Sequence, residues 1–445
     1  MRSTGMLATI SVILSNALGF VAAQGSRPVF AHFMVGIVEK FTVQDWLNEI
    51  QQAQAIGIDG FALNCAPPWV DSYTPKQLDN AYTAAQQLNF KMFISFDFAY
   101  WSNGDTGNIT SFVGKYAAHP AQAIFNGGAL VSTFVGDSFN WNPVKSALGS
   151  QKLTVIPNMQ DPASAGSVSA QFGIDGAFSW YAWPTDGGNS VIEGPMTTVW
   201  DQRYIQGLNG RPYMARKLSP NDMLGTRAGS NIIEVAVSPW FSTHFNTKNW
   251  VFICEEQPVR RWQQILDMKP ALVEIITWND FGESHYISGS EPNHSDDGSS
   301  QWANGFPHDG WRDIYRPYIA AYKAGASSPT VNTDEIVYWY RPVPHAARCT
   351  NDPLGIPRGA ELMDDLVFVS TLLTQPAQLT VTSGNVAPVT VNADAGVHVF
   401  NFTMGVGKQS FSVSRGGRQI LGGQSAKDIV SSCQTYNFNA YVGKF

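Results

Sequence analysis

A long alternation of short apolar runs with helix-like segments predicts an α/β fold, and short alternating runs after it predict an all-β domain. The α/β alternation extends from Arg27 to about Gly325 of the 445-residue chain. Eight strands with crossovers over about 300 residues have the size and rhythm of a (β/α)8 or TIM barrel. A doubly wound sheet is the alternative, but no Gly-rich phosphate loop follows the first strand. We therefore expect a catalytic barrel over 27–325.

The barrel strands are predicted from their apolar and β-branched runs. They are Val29–Val35, Gly60–Ala66, Lys91–Phe98, Ala123–Phe134, Leu153–Asn158, Gly176–Trp183, Val235–Phe241 and Leu272–Trp278. Helix-like segments lie between the first three strands. They cover Val43–Ile56, with Thr42 as a cap, and Thr74–Leu88, which opens with Thr74-Pro75.

The composition changes after a linker of small residues at Ala324–Thr330. Residues 331–445 contain short alternating runs punctuated by Gly, Pro and Asn. The predicted strands there are Glu335–Tyr340, Asp365–Thr371, Ala377–Val381, Val397–Phe402 and Gln409–Val413. This pattern predicts a C-terminal antiparallel β-sandwich of roughly a hundred residues as an accessory domain.

The N-terminus has the features of a leader peptide. Arg2 gives a positive start, Met6–Phe20 is mostly apolar, and Val21-Ala22-Ala23 supplies small residues for cleavage. The apolar stretch is short for a membrane span. We expect residues 1–23 to be removed and the protein to be secreted, as a monomer outside the cell or in the cell wall. Three sequons are candidate glycosylation sites on that route: Asn108, Asn293 and Asn401.

Four cysteines follow the leader, and an oxidising compartment would allow them to pair. Cys349 and Cys433 lie in the same C-terminal region, so we favour a disulfide between them. Cys65 and Cys254 either pair with each other or stay buried as free thiols, and the sequence leaves both possibilities open.

The composition limits the class of ligand. Charged residues are 14% of the chain, against roughly 25% in an average soluble domain. Aromatic residues reach 12%, with 14 Trp, which suits either a neutral, hydroxyl-rich ligand or simply a Trp-rich core. The net charge of −7 argues against nucleic acid as a partner.

Nearly every predicted strand ends in a polar or aromatic residue, where a barrel builds its active site. These residues are His32, Asn64, Asp97, Thr133 or Asp137, Asn158, Trp180 with Tyr181 and Trp183, Trp240, and Asp280 with Glu283. Buried Asp and Asn are costly unless they are paired. The coincidence over so many strands favours a functional cluster over a hydrogen-bonded structural rim.

Asp280 and Glu283 are the candidate catalytic pair, since two carboxylates are the equipment for hydrolysing a glycosidic bond. The same Asp-x-x-Glu spacing also fits a helix capping box. The flanking residues favour catalysis because a cap needs none of them; they are Trp278, Asn279, Gly282, His285 and Tyr286. The spacing alone allows both a retaining and an inverting separation.

Other catalytic classes lack their motifs. His285, His294 and His308 do not have the spacing of a zinc site, and no His-Glu-x-x-His is present, so no metal and no cofactor are expected. A Gly-x-Ser-x-Gly elbow is also absent, which argues against an esterase.

Six ordered motifs carry a resemblance to a known family. They are Arg27–Gly36, Ile58–Asn64, Phe93–Asp97, Val131–Phe134, Ser238–Phe241 and Thr277–Tyr286. Together they resemble glycoside hydrolase family 71, the fungal α-1,3-glucanases or mutanases. The resemblance implies a barrel with an appended β-sandwich, and hydrolysis of α-1,3-glucan with inversion by Asp280 and Glu283. We favour Glu283 as the acid and Asp280 as the base, although the opposite assignment stays open.

The resemblance also implies which side chains surround the sugar. It places His32, Asn64, Asp97, Trp240, His285 and Tyr286 around the sugar at the cleaved bond. The strand-end residues Asn158, Trp180, Tyr181 and Trp278 complete the candidate substrate contacts. Endo or exo action stays open.

One segment departs from the family pattern. About 20 residues, Arg216–Val235, intervene before Ala236-Val-Ser-Pro-Trp240 and split the predicted seventh strand. They are either a loop insertion or a gene-model error. Two alternative functions therefore stand beside α-1,3-glucanase: a barrel glycosidase for another linkage, or a carbohydrate-binding wall protein disabled by the extra residues.

Overall fold

Parallel strands and helices alternate through the first part of the chain in the computed structural model, which describes residues 27–208, 232–289 and 294–445. The strands of this part are β1 (Val29–Met34), β2 (Gly60–Cys65), β3 (Lys91–Asp97), β4 (Ile124–Phe125), β5 (Gly128–Phe134), β6 (Leu153–Pro157), β7 (Gly176–Ser179), β8 (Ile232–Val237), β9 (Ser242–Phe245), β10 (Lys248–Val251) and β11 (Leu272–Ile275). The predicted leader, Asn293 and most of Arg216–Val235 lie outside the described residues.

Helices connect these strands. They are α1 (Val43–Ala55), α2 (Thr74–Gln87), α3 (Thr106–Tyr116), α4 (Asn142–Ala147), α5 (Ala165–Phe172), α6 (Val199–Gly207), α7 (Gln257–Met268), α8 (Ser300–Ala303) and α9 (Gly310–Ala324), with short 3₁₀ turns at Val35–Ile37, Asn103–Asp105 and Ala360–Leu362. Helix α1 begins after Thr42, whose hydroxyl caps it as predicted, and its buried face includes Trp46 and Ile50. Among the described helices, none combines the length and apolar character that a bilayer span requires.

Eight parallel strands form one curled sheet in the order β6-β5-β3-β2-β1-β11-β8-β7. The two outer strands approach each other, because Asn158 and Phe178 form a parallel bridge. The Met159 amide donates to the Phe178 carbonyl at 3.2 Å at the same place. All eight strands therefore run in one direction, and their C-terminal ends lie at the same edge.

Three strand predictions need correction. The predicted fourth strand is a hairpin, since Asn126 and Gly127 take positive φ angles of 48° and 76° and turn β4 back onto β5; Asn-Gly is a strong hairpin signal that the apolar run hid. The sixth strand ends at Ser179 rather than Trp183. The seventh strand is continuous over Ile232–Val237 and pairs with both neighbours, so the last four of the extra residues, 232–235, form part of this strand.

Two separate four-stranded antiparallel sheets make up the C-terminal part. Their strands are β12 (Glu335–Tyr340), β13 (Leu366–Leu373), β14 (Ala377–Ser383), β15 (Val389–Ala393), β16 (Gly396–Thr403), β17 (Gln409–Arg415), β18 (Arg418–Gln424) and β19 (Tyr441–Lys444). The sheet orders are β16-β13-β12-β19 and β15-β14-β17-β18. Side chains from both sheets share an apolar core, in which Tyr338 stacks on Phe411 at 4.1 Å. The opposite side of the first sheet, including Trp339 and Phe368, joins the core of the α/β part.

The cysteines and two of the sequons lie within the described residues. A disulfide joins Cys349 to Cys433, the pair that the sequence favours, and Cys65 and Cys254 are buried free thiols. The predicted glycosylation sites Asn108 and Asn401 are both exposed to solvent.

We expect the disulfide to stabilise the C-terminal part, because it closes a loop of 84 residues in sequence. Its removal should lower the free energy of unfolding by about 2–5 kcal/mol. Thermal melts with and without reductant measure the effect. The matched control is the Cys349→Ser/Cys433→Ser variant, which keeps both free thiols and should not respond to reductant. An equal response in the two proteins would contradict the prediction.

Candidate active site

The chain forms a closed turn immediately after β11, and this turn carries the two predicted catalytic carboxylates. The Thr277 amide donates to the His285 carbonyl at 2.9 Å, and the Ile287 amide donates back to the Thr277 carbonyl at 3.2 Å. The Trp278 amide donates to the His32 carbonyl of β1 at 2.7 Å. The turn is therefore fixed both to itself and to the neighbouring parallel strand.

Hydrogen bonds inside the turn set the positions of Asp280 and Glu283. The Asp280 amide donates to the Thr277 hydroxyl at 2.8 Å, and the Glu283 amide donates to Asp280 Oδ1 at 2.9 Å. The second bond is one half of a capping box, but residues 281–284 form a turn and no helix begins within the described residues 281–289. The Glu283 carboxylate contacts Lys248 and His285 instead of the backbone that a capping box would use. The helix-capping interpretation of this spacing is therefore wrong.

The Glu283 carboxylate lies between the Lys248 ammonium and the His285 ring. Lys248 Nζ, on the β9–β10 hairpin, donates to Glu283 Oε1 at 2.7 Å, and His285 Nε2 lies 3.1 Å from Glu283 Oε2. His285 Nε2 is also 3.6 Å from Asp280 Oδ2, and His285 Nδ1 is 3.1 Å from the Thr277 hydroxyl. Because an ionised carboxylate only accepts hydrogen bonds, His285 Nε2 must carry a proton.

The two carboxylates differ in acidity. Burial and the nearby charge of Glu283 raise the pKa of Asp280, although His285 and Lys248 oppose them. Burial also disfavours ionisation of Glu283, but the hydrogen bond from His285 and the charge of Lys248 outweigh it and lower the pKa of Glu283 to about 2. Both side chains still reach solvent, with 17% and 16% of their surfaces exposed. In the free site, Asp280 is therefore the weaker acid and Glu283 is the carboxylate that ionises more easily.

Asp280, Glu283 and His285 are also close enough to contact one cation. One potential ligand atom from each residue lies within 4.8 Å of the others. Among the described residues, these three are the group whose spacing could hold a metal ion. The Lys248 ammonium already donates to Glu283 and would repel a cation there. The group is therefore better suited to moving protons than to holding a metal.

Four predicted substrate residues gather beside this group at the same sheet edge. His32 ends up fully buried on β1, with Trp180 edge-on to its ring at 4.8 Å. Asn64 and Asp97 are buried at the ends of β2 and β3, and Asn64 donates a hydrogen bond to the Asp97 carboxylate. Burial raises the pKa of Asp97, while His32 and Lys248 are close enough to counteract that shift.

A pair of buried glutamates lies beneath His32. His32 Nδ1 and Glu274 Oε1 are 2.6 Å apart, and burial raises the pKa of Glu274 to about 8. Burial and the neighbouring Glu274 raise the pKa of Glu234 well above its usual range. Burial lowers the pKa of His32 to about 3. Since His32 Nε2 has no hydrogen-bond partner among the described residues, this neutral ring can bind a hydroxyl.

Two tryptophans predicted to contact substrate are buried, and their indoles hydrogen-bond to other parts of the protein. Trp240 is buried and its indole donates to the Phe438 carbonyl at 2.9 Å, which fixes it to the C-terminal part. Trp278 is fully buried and its indole donates to Glu49 on α1 at 2.7 Å. Neither indole N–H remains for a substrate.

Three further residues predicted to contact substrate interact with other parts of the protein and not with Asp280 or Glu283. The Tyr286 hydroxyl donates to the Phe306 carbonyl at 2.6 Å. The Tyr181 ring stacks on Trp200 at 4.0 Å. Asn158 bridges the outer strands, accepting from the Val135 amide and donating to a carbonyl on β7. A polar or aromatic residue at a strand end can therefore be engaged in contacts that stabilise the fold.

The sequence prediction missed several members of the site. Lys248 follows β9 in a hairpin that no motif marks, and Glu234 and Glu274 appear as single acids inside apolar runs. Those two acids were a usable signal, since a charged residue inside a buried strand is costly. Trp183, which the sequence places at a strand end, and Phe241, which ends one of the six motifs, flank His285 with ring distances of 5.3 and 5.7 Å.

The chain is similar in sequence to several fungal proteins. A mutanase of Penicillium rubens is 57% identical over 415 residues, covering 93% of this chain and 88% of the relative. A glucan endo-1,3-α-glucosidase of Schizosaccharomyces pombe is 35% identical, covering 97% of each chain. An ascus wall endo-1,3-α-glucanase of the same yeast is 27% identical, covering 93% of this chain and 96% of the relative.

Among solved structures, a family 99 endo-α-mannosidase from Bacteroides thetaiotaomicron has a TM-score of 0.46 at 10% identity, covering 64% of this chain and 80% of that one. The model of glycosyl hydrolase family 71 matches residues 25–445. With that match and two relatives above 30% identity, the chain belongs to glycosyl hydrolase family 71.

Proposed function

We propose that this protein is an enzyme that hydrolyses α-1,3-glucosidic bonds of α-1,3-glucan. The observation that carries the proposal is the pairing of Asp280 with Glu283 in the turn after β11, in a family 71 chain. Its relatives are named mutanase and glucan endo-1,3-α-glucosidase. Two carboxylates of different acidity are what glycoside hydrolysis requires.

Asp280 acts as the general acid and Glu283 as the general base. This reverses the assignment favoured from the sequence. The raised pKa of Asp280 favours its role as proton donor to the leaving oxygen, and the lowered pKa of Glu283 favours the ionised form that activates water. His32, Asn64, Asp97 and Trp180 bind the sugar at the cleaved bond.

The reaction proceeds with inversion, and glucan binding first separates the two carboxylates. In the free site an oxygen of Asp280 and one of Glu283 lie within 4.8 Å, whereas inverting glycosidases hold their carboxyl groups about 6.5–9.5 Å apart. Glu283 must therefore rotate away from His285 to admit the attacking water.

The curled sheet closes into a (β/α)8 barrel over 27–325, and 331–445 form a β-sandwich. The bridge between β6 and β7 and the shared core of the two antiparallel sheets support this division. The protein is secreted and acts as a monomer. The disulfide supports secretion, because such bonds persist in oxidising compartments.

Removal of either carboxylate should strongly slow hydrolysis of α-1,3-glucan. Asp280→Asn and Glu283→Gln should each lower kcat about 10²–10⁴-fold, because each removes a proton-transfer group. Reducing sugar released from α-1,3-glucan measures this, and Asp428→Asn, in the C-terminal part, is the control. Asp280→Asn should recover on a substrate with a nitrophenol leaving group, which needs no acid, and Glu283→Gln should not. Recovery of Glu283→Gln alone would reverse the two roles.

The same assay separates the alternative functions. Release of sugar from β-glucan, chitin or α-1,4-glucan, with none from α-1,3-glucan, would assign another linkage. A folded parent protein that binds α-1,3-glucan without cleaving it would be a binding protein.

Loss of the Lys248 charge should move the whole pH profile upward. Lys248 lowers the pKa of both carboxylates, so Lys248→Met should raise both. The acid limb of kcat/KM, set by ionisation of Glu283, and the alkaline limb, set by deprotonation of Asp280, should then both move to higher pH. Lys115→Met is the matched control, since Lys115 has the same 49% exposure and pairs with Asp79. A profile that stays in place would contradict this role of Lys248.

The stereochemistry can be measured directly. NMR of freshly cleaved α-1,3-glucan should show the β-anomer of the new reducing end first, because water attacks from the face opposite the bond. Initial appearance of the α-anomer would instead mean that the short separation of the free site persists and the enzyme retains configuration.

A further inference from the structure

Two aromatic side chains are exposed at the sheet edge that carries the carboxylates. Trp69 is 57% exposed and Tyr100 is 56% exposed. Every other Phe, Tyr and Trp that the structure describes is buried or partly buried. Burying a large ring is favourable, and exposed apolar side chains that lie together on a surface mark binding sites.

The two rings lie on the loops that follow neighbouring parallel strands. Trp69 follows β2, and Tyr100 follows β3, where its amide donates to the carbonyl of Asp97 at 3.0 Å. Both loops leave the C-terminal edge of the sheet, so they stand on the same side as the turn after β11. Strands β2 and β3 are two and three places from β11, a distance of about 10–14 Å along the edge.

The ring of Trp69 contacts a buried neighbour although the residue is 57% exposed. It packs edge-on against Trp101, with the ring centroids 5.4 Å apart. Trp101 is buried, and its indole donates to the Cys65 carbonyl at the end of β2 at 2.9 Å. An exposed ring on a buried support is preorganised, so it loses little freedom when a ligand stacks on it.

Tyr100 lies near the carboxylate group through Asp97 and Lys248. Asp97 lies directly before the Tyr100 loop, and Lys248, which donates to Glu283, is close enough to Tyr100 for the two groups to interact electrostatically. A chain seated on the carboxylates and leaving toward β2 and β3 would therefore cross the loops that carry Trp69 and Tyr100.

We propose that Trp69 and Tyr100 form an aromatic platform that binds glucose units of α-1,3-glucan at a distance from the cleaved bond. The inference rests on the proposed function and extends it to a distal subsite. A glucose ring has an apolar C–H face that packs on an aromatic face, while its hydroxyls stay in water. The exposed patch contains little else that is apolar besides Val70, which suits a narrow polymer better than a protein surface.

Binding and hydrolysis test the platform separately. Binding to insoluble α-1,3-glucan is measured in the Asp280→Asn/Glu283→Gln background, with and without Trp69→Ala and Tyr100→Ala. Each alanine should weaken binding about 10-fold, which is the effect of losing one large buried apolar contact. Trp69→Phe and Tyr100→Phe should keep most of the binding. Val70→Ala is the matched control, because Val70 is 48% exposed on the same loop.

Hydrolysis in the otherwise unchanged protein gives the second measurement. Trp69→Ala should raise KM for the polymer about 10-fold with kcat unchanged, and it should not alter cleavage of an oligosaccharide too short to reach β2. Active enzyme with unchanged polymer KM and unchanged binding overturns the platform and leaves the proposed function standing. If the unchanged protein cleaves no glucan but its glucan binding depends on Trp69 and Tyr100, the proposed function is overturned and the platform stands. Unchanged glucan binding with a changed oligomeric state on sedimentation overturns it in favour of a protein contact.

Discussion

The closure of the turn after β11 onto itself is the constraint on which the candidate site depends. The backbone bonds between Thr277 and His285 bring the start and end of the turn together, so one threonine hydroxyl contacts both the Asp280 amide and the His285 ring. His285 then bridges the two carboxylates. A longer or open loop would have to lose more conformational freedom to reach the same arrangement. The acidity difference between Asp280 and Glu283 follows from this geometry, since only Glu283 extends far enough to reach Lys248 as well.

The C-terminal part of the chain supports the same site from outside. Lys248 lies on the β9–β10 hairpin, where His244 bonds to Asp352 at 2.7 Å and Asn249 donates to the Leu354 carbonyl at 3.1 Å. Asp352 lies three residues beyond Cys349 of the disulfide. The cation that keeps Glu283 ionised is thus positioned by a segment that joins the two parts of the protein, so those parts form one functional unit.

The residues at the C-terminal edge of the parallel sheet were largely predictable from the sequence. Which of their side chains turn toward the candidate site was not. Strand ends at His32, Asn64 and Asp97 were recognised because a polar residue directly after an apolar run stands out in the sequence, and the structure brings them together. Trp240 and Trp278 follow strands in the same way, yet their indoles donate to Phe438 and Glu49. The local pattern is identical in the two groups, because side-chain direction depends on partners that are distant in sequence.

The sequence by itself determined the alternation of strands and helices, the change to antiparallel strands after residue 325, and the motif that holds Asp280 and Glu283. These features depend on periodicity and local spacing, which a linear chain contains. Only the tertiary structure decided which carboxylate is the stronger acid, because Lys248 comes from a hairpin 35 residues away and the burial of Asp280 comes from many elements. It also decided that Trp69 and Tyr100 stand exposed beside the site, since exposure is a property of packing and no local pattern carries it.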